Sequence, residues 1–121
     1  MVKALFDTNI LIDYLNAVPE ARAELSLYAE KAISIITWME VMVGAAADLA
    51  APTRDFLGGF ELIGLDERVA ARAVDLRRRH RIKLPDAVIW ASAQERAMLL
   101  VTRNVKEFPA GDPGVRAPYV L

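Results

Sequence analysis

The sequence has 121 residues, the size of one domain, and we expect a single domain over residues 1–121. It contains no cysteine, which excludes disulfides, thiol nucleophiles and cysteine-based zinc sites. Its 15 basic and 16 acidic residues give a net charge of −1, which argues against a protein that coats nucleic acid through charge alone.

In the N-terminal half, short apolar runs alternate with helical patterns. The runs at residues 3–6 and 32–36 predict two strands. Helical patterns lie between and after these strands, at about residues 9–15, 19–31 and 37–47.

The C-terminal half continues the same alternation. Further strands are predicted at residues 60–65 and 98–101, and residues 119–121 could add an edge strand. Helices are predicted after Pro52, after the capping residue Asp66, and over residues 85–97. The pattern predicts an α/β fold, a three-layer α/β/α sandwich whose parallel sheet has about four to five strands.

Three acids and one amide lie close to the ends of predicted strands. Asp7 follows the first strand, and Glu40 lies in the first turn of the helix after the second. Asp86 is in the first turn of the helix that leads into the fourth strand, and Asn104 follows that strand. Because open α/β sheets bind ligands at the carboxyl edge of their strands, we expect these four side chains to share a pocket there.

Crowded carboxylates indicate a metal site. Their charges repel one another, and a hard cation such as Mg²⁺ or Mn²⁺ removes that conflict. Such an ion generates hydroxide from water and stabilises the charge that develops on a phosphodiester. The pattern is satisfied by one or by two ions.

Each acid also has a purely structural interpretation. Asp7 could only cap its helix, and Thr37 with Glu40 matches a capping box. Asp86 suits the positive end of a helix dipole. None of these interpretations explains why three separate segments bring acids to one edge of the sheet.

Residues 77–83 form the most basic stretch of the chain. This stretch contains Arg77, Arg78, Arg79, His80, Arg81 and Lys83. It could position RNA through phosphate contacts, or it could be a solvated helix end whose cations balance the helix dipole. We do not expect His80 to be catalytic among so many cations, and we expect Trp38 and Trp90 to pack in the core or a dimer interface.

Four segments resemble the motifs of PIN domains, particularly those of VapC-type toxins from bacterial toxin–antitoxin pairs. They are Asp7-Thr8-Asn9, residues 36–44 around Glu40, residues 84–93 around Asp86 and residues 100–108 around Asn104. The similarity runs in order from residue 2 to about residue 110.

The resemblance implies a metal-dependent endoribonuclease, the toxin of a VapBC-type pair, which hydrolyses phosphodiester bonds in RNA with Mg²⁺ or Mn²⁺. It also implies a homodimer, a VapB-like antitoxin as partner, and Asp7, Glu40, Asp86 and Asn104 as catalytic metal ligands. Many relatives carry an acid where this chain has Asn104. Glu107 is the alternative fourth ligand, but we favour Asn104 because it is nearer the strand end, and we expect Glu107 to face solvent.

Two other functions stay open at this point. A receiver-type signalling domain also has an acidic metal pocket beside a parallel sheet, but it carries paired acids after the first strand and a lysine late in the chain. Here a single acid, Asp7, follows the first strand, and Arg103 follows the fourth. A PIN-like module without catalysis, which only binds RNA or protein, is the second alternative, and Asn104 is the feature that favours it.

The remaining composition bears on location and association. Asp7 interrupts the N-terminal apolar run too early for a signal peptide, and no apolar run approaches the roughly 20 residues that cross a bilayer. We therefore expect a cytoplasmic protein with no membrane partner. The hydrophobic fraction of 55% is high for a small domain, which favours a surface covered by a second subunit or by an antitoxin.

Overall fold

A computed structural model describes residues 2–109 and 111–121. The strands within these residues are β1 (Ala4–Phe6), β2 (Lys31–Ser34), β3 (Glu61–Ile63), β4 (Leu99–Val101) and β5 (Val115–Arg116). The α-helices are α1 (Thr8–Leu15), α2 (Pro19–Ser26), α3 (Ile35–Gly44), α4 (Ala50–Leu57), α5 (Glu67–His80) and α6 (Leu84–Glu95). A short 3-10 helix, Ala47–Leu49, precedes α4.

The strands form one sheet in the order β3-β2-β1-β4-β5, and every neighbouring pair is parallel. The chain builds outward from β1 in one direction through β2 and β3, then returns to place β4 on the other side of β1. The switch in strand order therefore falls between β1 and β4, and ligands of open parallel sheets bind at the carboxyl edge beside such a switch.

Side chains of β1 alternate between the two faces of the sheet, and each face has its own core. Leu5 packs in a cluster with residues of α5 and α6, including Trp90. Ala4 and Phe6 pack in a second cluster with residues of α1, α3 and α4. Because residues on a strand alternate in direction, two covered faces give a helix–sheet–helix arrangement, which confirms the predicted fold class.

The predicted fifth strand at residues 119–121 is wrong. The edge strand is Val115–Arg116, in which Val115 pairs with Leu100. Tyr119 instead donates its hydroxyl to Asp13 of α1, at 2.8 Å. A two-residue strand carries too little pattern to be recognised in sequence, whereas the β-branched and aromatic character of residues 119–121 imitates one.

The start of α3 also differs from the prediction. Helix α3 begins at Ile35, and the hydroxyl of Ser34 caps it by accepting the N–H of Ile36 at 3.1 Å. Thr37 is therefore inside the helix, and the capping-box interpretation of Thr37 and Glu40 is wrong. Glu40 lies in the second turn of α3, not the first, and its carboxylate is free to serve another purpose.

Helix α2 ends at Ser26, earlier than the predicted residue 31, because Lys31 already belongs to β2. None of the helices formed by the described residues has the length and apolar character needed to cross a membrane.

Candidate active site

Asp7 lies between the end of β1 and the start of α1, and only 3% of it is exposed. Its carboxylate accepts hydrogen bonds from the backbone N–H of Thr8 at 2.8 Å, the amide of Asn9 at 3.1 Å and the hydroxyl of Thr102 at 2.7 Å. Burial nevertheless raises the pKa of Asp7, and repulsion from Glu40 adds to that effect. Asp7 is thus both a helix cap and an acid held where its charge is costly.

Glu40 reaches the same edge of the sheet from α3. Its Oε1 accepts the hydroxyl proton of Thr8 at 2.6 Å, and the hydroxyl of Thr37 lies 3.0 Å from that of Thr8. Thr8, the first residue of α1, thereby connects this helix to Glu40 of α3. This contact fixes the Glu40 carboxylate on the side of the site where Asp7 lies.

Asp86 enters from the first turn of α6, as predicted, and it is half-buried. Burial raises its pKa to about 6, and repulsion from Asp7, Glu107 and Glu40 adds to the shift, against the opposing charge of Lys83. These carboxylates come from four separate segments and act on one another electrostatically. The structure therefore places Asp7, Glu40 and Asp86 at one edge, together with Glu107.

Asn104 and Glu107 share the loop after β4. The side-chain oxygen of Asn104 accepts the backbone N–H of Glu107 at 3.3 Å, so it stabilises a turn of its own loop. Glu107 is half-buried, and its Oε2 accepts the backbone N–H of Lys83 at 3.4 Å. The expectation that Glu107 faces solvent is wrong, because its charge acts on Asp86.

The charges of the site have no cationic partner among the described residues. The carboxylates of Asp7, Glu40, Asp86 and Glu107 each lie more than 4 Å from every side-chain nitrogen of the described lysines, arginines and histidine. The two other buried acids of the chain, Asp13 and Glu24, each hold an arginine at 2.7 Å. Among the described residues, Asp7 is therefore the one buried acid without an ion pair.

A hard dication fits this set of oxygen donors, because it would supply the missing positive charge. In their present arrangement, no three Asp, Glu or His side chains within residues 2–109 and 111–121 are grouped so that they could hold an ion together. The donor chemistry fits a metal bound at an open edge, where substrate and water complete the coordination.

Several supporting residues were not predicted from sequence. Thr102 is fully buried, and its hydroxyl donates to Asp7 and accepts the N–H of Asn104 at 3.0 Å. Arg103 makes a two-pronged ion pair with Asp13 at 2.7 and 3.0 Å. A threonine directly after a strand was the available signal for Thr102, but Asp13 and Arg103 are 90 residues apart and no local pattern links them.

The expectation for the tryptophans agrees with the structure. His80 packs its ring on Trp90 with ring centres 4.8 Å apart. Trp90 is buried against Phe108, and Trp38 is half-buried against the second core cluster.

The model of the PIN domain family matches residues 4–110 of this chain. That match includes Asp7, Glu40 and Asp86, together with Asn104 and Glu107. The match covers far more than half of the chain, so the chain is a member of this family. PIN-domain ribonucleases generally depend on a divalent metal.

Two curated relatives are similar over most of their length. The tRNA(fMet)-specific endonuclease VapC of Salmonella typhimurium is 31% identical over 96% of both chains. Ribonuclease VapC10 of Mycobacterium tuberculosis is 33% identical, over 87% of this chain and 85% of the relative.

Solved structures give the same result. A toxin–antitoxin complex from Klebsiella pneumoniae contains a chain that is 48% identical, with a TM-score of 0.94 over 98% of this chain and 100% of that one. The DNA-bound VapBC of Salmonella typhimurium superposes with a TM-score of 0.76 at 28% identity, over 96% of each chain. The chain therefore belongs to the PIN-domain family, in its VapC-type group.

Proposed function

We propose that this protein is a metal-dependent endoribonuclease and the toxin of a VapBC-type toxin–antitoxin pair. The observation that carries the proposal is the buried Asp7, which is repelled by the charges of Glu40 and Asp86 and forms no ion pair with a described cation. The related VapC proteins are named as an endonuclease and a ribonuclease, which supports RNA as the substrate and hydrolysis as the reaction.

We assign Asp7, Glu40 and Asp86 as the ligands of Mg²⁺ or Mn²⁺. When bound, the ion would lower the pKa of a water molecule and stabilise negative charge on the phosphodiester. The chain's own contribution is to hold these oxygens in place. Thr102, Asn9 and the N–H of Thr8 orient Asp7, and the Thr8 hydroxyl orients Glu40.

For the fourth ligand, the geometry supports Glu107 better than Asn104. The Asn104 side-chain oxygen is already engaged by the N–H of Glu107, whereas the Glu107 carboxylate acts on Asp86. A carboxylate is also the stronger ligand for a hard dication. Asn104 as a metal ligand remains a prediction, and its present contact suits a residue that shapes the loop bearing Glu107.

The partners follow from the relatives. Solved relatives are toxin–antitoxin complexes, and we propose that a VapB-like antitoxin binds this chain, which itself forms a homodimer. An apolar groove beside the site suits an antitoxin segment. The groove is lined by residues of α1, α3, α4 and the segment between α3 and α4, among them Ile12, Leu15, Val41, Leu49 and Pro52.

The groove and the acids are neighbours in the fold, since Val41 follows Glu40 and Ile12 shares α1 with Thr8. A segment lying in the groove could extend an arginine to the carboxylates in place of the metal. We expect Leu49→Asp to weaken co-purification with the antitoxin. Val74→Asp, at a similarly exposed position on α5, is the matched control and should have no effect.

RNA cleavage by the purified chain tests the proposal. We expect magnesium or manganese to be required for cleavage of bacterial RNA, with initiator transfer RNA as one of the substrates tried. Asp7→Asn should abolish cleavage while circular dichroism shows an intact fold. Cleavage that survives thorough chelation, after contaminating nucleases are excluded, would refute metal dependence. A folded chain that cuts no RNA with any divalent metal would favour the silent binding module.

A further inference from the structure

The short connection between α5 and α6 carries two cations to the edge where the acids lie. The two helices pack side by side in opposite directions, because Arg72 early in α5 is bonded to Glu95 and Gln94 at the end of α6. The end of α5 therefore lies beside the start of α6. Asp86 is in that first turn, only three residues after Lys83.

Arg81 occupies a backbone conformation that its residue type disfavours. It ends α5 with φ of 55° and ψ of 32°, in the left-handed region. Glycine or asparagine is the usual residue there, because a Cβ atom crowds the backbone in this conformation. Strain of this kind is found at functional sites more often than elsewhere.

Lys83 is also an unfavourable residue at its position in the fold. It is the N-cap residue of α6, where a serine, threonine, aspartate or asparagine would accept an unpaired N–H, and it makes no such bond. A cation is also unfavourable at the positive end of a helix dipole. Cations are favourable at the negative end of a helix dipole, which could explain the arginines at the C-terminus of α5. Lys83 lies at the N-terminus of α6, so this explanation does not apply to it.

Neither residue forms an ion pair with a described carboxylate. No described carboxylate lies within 4 Å of the charged atoms of Arg77, Arg78, Arg81 or Lys83, whereas Arg79 is paired with Asp75. Ile82 between the two is 97% buried, so it anchors the connection and leaves its charged neighbours exposed. All four of these cations are exposed.

The acidic edge of the sheet disfavours the binding of RNA through electrostatic repulsion. The net charge of the chain is −1, and the uncompensated carboxylates repel phosphates. We propose that Arg81 and Lys83, extended by Arg77 and Arg78, form a phosphate-binding strip that holds the backbone of single-stranded RNA beside Asp86. This inference rests on the proposed ribonuclease function and assigns the surface that positions its substrate.

Binding can be measured without cleavage in a protein that carries Asp7→Asn, using a fluorescent RNA oligonucleotide of about twelve nucleotides and varied salt. The test variant adds Arg81→Gly and Lys83→Ser. Each change removes a cation and installs the residue that the local backbone prefers. The matched control is Arg68→Gln, an exposed arginine at the opposite end of α5.

We expect the double change to weaken RNA binding about tenfold and to reduce the salt dependence by roughly one counterion per lost contact. Its melting temperature should rise, because both local conflicts are relieved. The Arg68 control should bind as tightly as its parent. In the cleaving protein, the same pair should raise KM and leave kcat nearly unchanged.

Other results would overturn the strip in distinguishable ways. Unchanged RNA affinity in the double variant, or an equal loss in the Arg68 control, refutes the strip while the ribonuclease function stands. A fall in melting temperature shows that Arg81 and Lys83 are structural. If the Asp7→Asn protein binds no RNA and the parent chain cuts none, the proposed function fails together with the strip.

Discussion

The hydroxyl of Thr102 donates a 2.7 Å hydrogen bond to Oδ2 of Asp7, across the boundary between β4 and β1. The two strands are neighbours only because the strand order switches there. Thr102 also accepts the N–H of Asn104, so one buried hydroxyl connects the first acid to the loop that carries Glu107.

Thr102→Val should test this connection, because valine keeps the shape and removes the hydroxyl. The pKa of Asp7 should rise further, since the Thr102 hydrogen bond lowers it. We expect cleavage to fall by about 10- to 100-fold, as for other residues that orient metal ligands. The free energy of unfolding should fall by about 1 to 3 kcal/mol. Thr102→Ser retains the donor and should remain active, and a dead serine variant would show that the methyl group matters instead.

The raised pKa of Asp86 predicts how the stability of the metal-free protein depends on pH. Its pKa is raised from 3.8 to about 6, so the folded chain holds the proton more tightly than the unfolded chain. Protonated Asp86 therefore adds to the free energy of unfolding at pH 4, and this contribution is lost as the pH rises to about 6. Melting temperatures in the presence of chelator should show Asp86→Asn more stable than the parent above pH 6, with the two converging near pH 4. Parallel curves across that range would contradict this assignment.

Metal binding should show the opposite trend with pH. A proton on Asp86 competes with the cation, so magnesium affinity should increase as the pH rises through about 6. Calorimetric titration at pH 5.5 and 7.5 measures this difference. Thr53→Ser, a change at a buried threonine of α4 that lies in a different part of the chain, should leave the pH dependence unchanged.

Glu107→Gln and Asn104→Ala separate the two candidates for the fourth ligand. We expect the Glu107 variant to lose more activity at limiting magnesium and to regain part of it at high magnesium, because a carboxylate charge has been removed. The Asn104 variant should lose less, through a loosened loop. The reverse ranking across a magnesium titration would restore Asn104 as the ligand that the sequence favours.

The ion pair of Arg103 with Asp13 should contribute to stability as well as to the site. Arg103→Met leaves the buried Asp13 carboxylate without its cation, and we expect a loss of about 1 to 3 kcal/mol, reduced by the partial exposure of Arg103. Tyr119→Phe removes only one hydrogen bond to the same carboxylate and should cost about 1 kcal/mol. Urea denaturation measures both, and equal costs would mean that the arginine charge contributes nothing.

Association is the last prediction. Large apolar side chains are exposed on α3, including Met39 and Val43. We expect a homodimer that buries roughly 1,200 Å² or more in total. A monomer observed by light scattering at tens of micromolar protein would contradict this prediction.

The sequence by itself determined the alternation of strands and helices and the placement of Asp7 and Asp86 at strand and helix ends. These features depend on periodicity and on residues within a few positions of each other, so local patterns suffice. The position of Glu40 after the second strand was predicted in the same way, although the local capping pattern around it was misleading.

Only the tertiary structure decided what these residues do next to one another. Ser34 rather than Thr37 caps α3, which leaves Glu40 to accept the proton of Thr8 from a different helix. Thr102 and Asp7 are separated by 95 residues, and the direction of Glu107 depends on a contact with the backbone of Lys83. Such contacts are set by strand order and helix packing, which no short window of sequence contains.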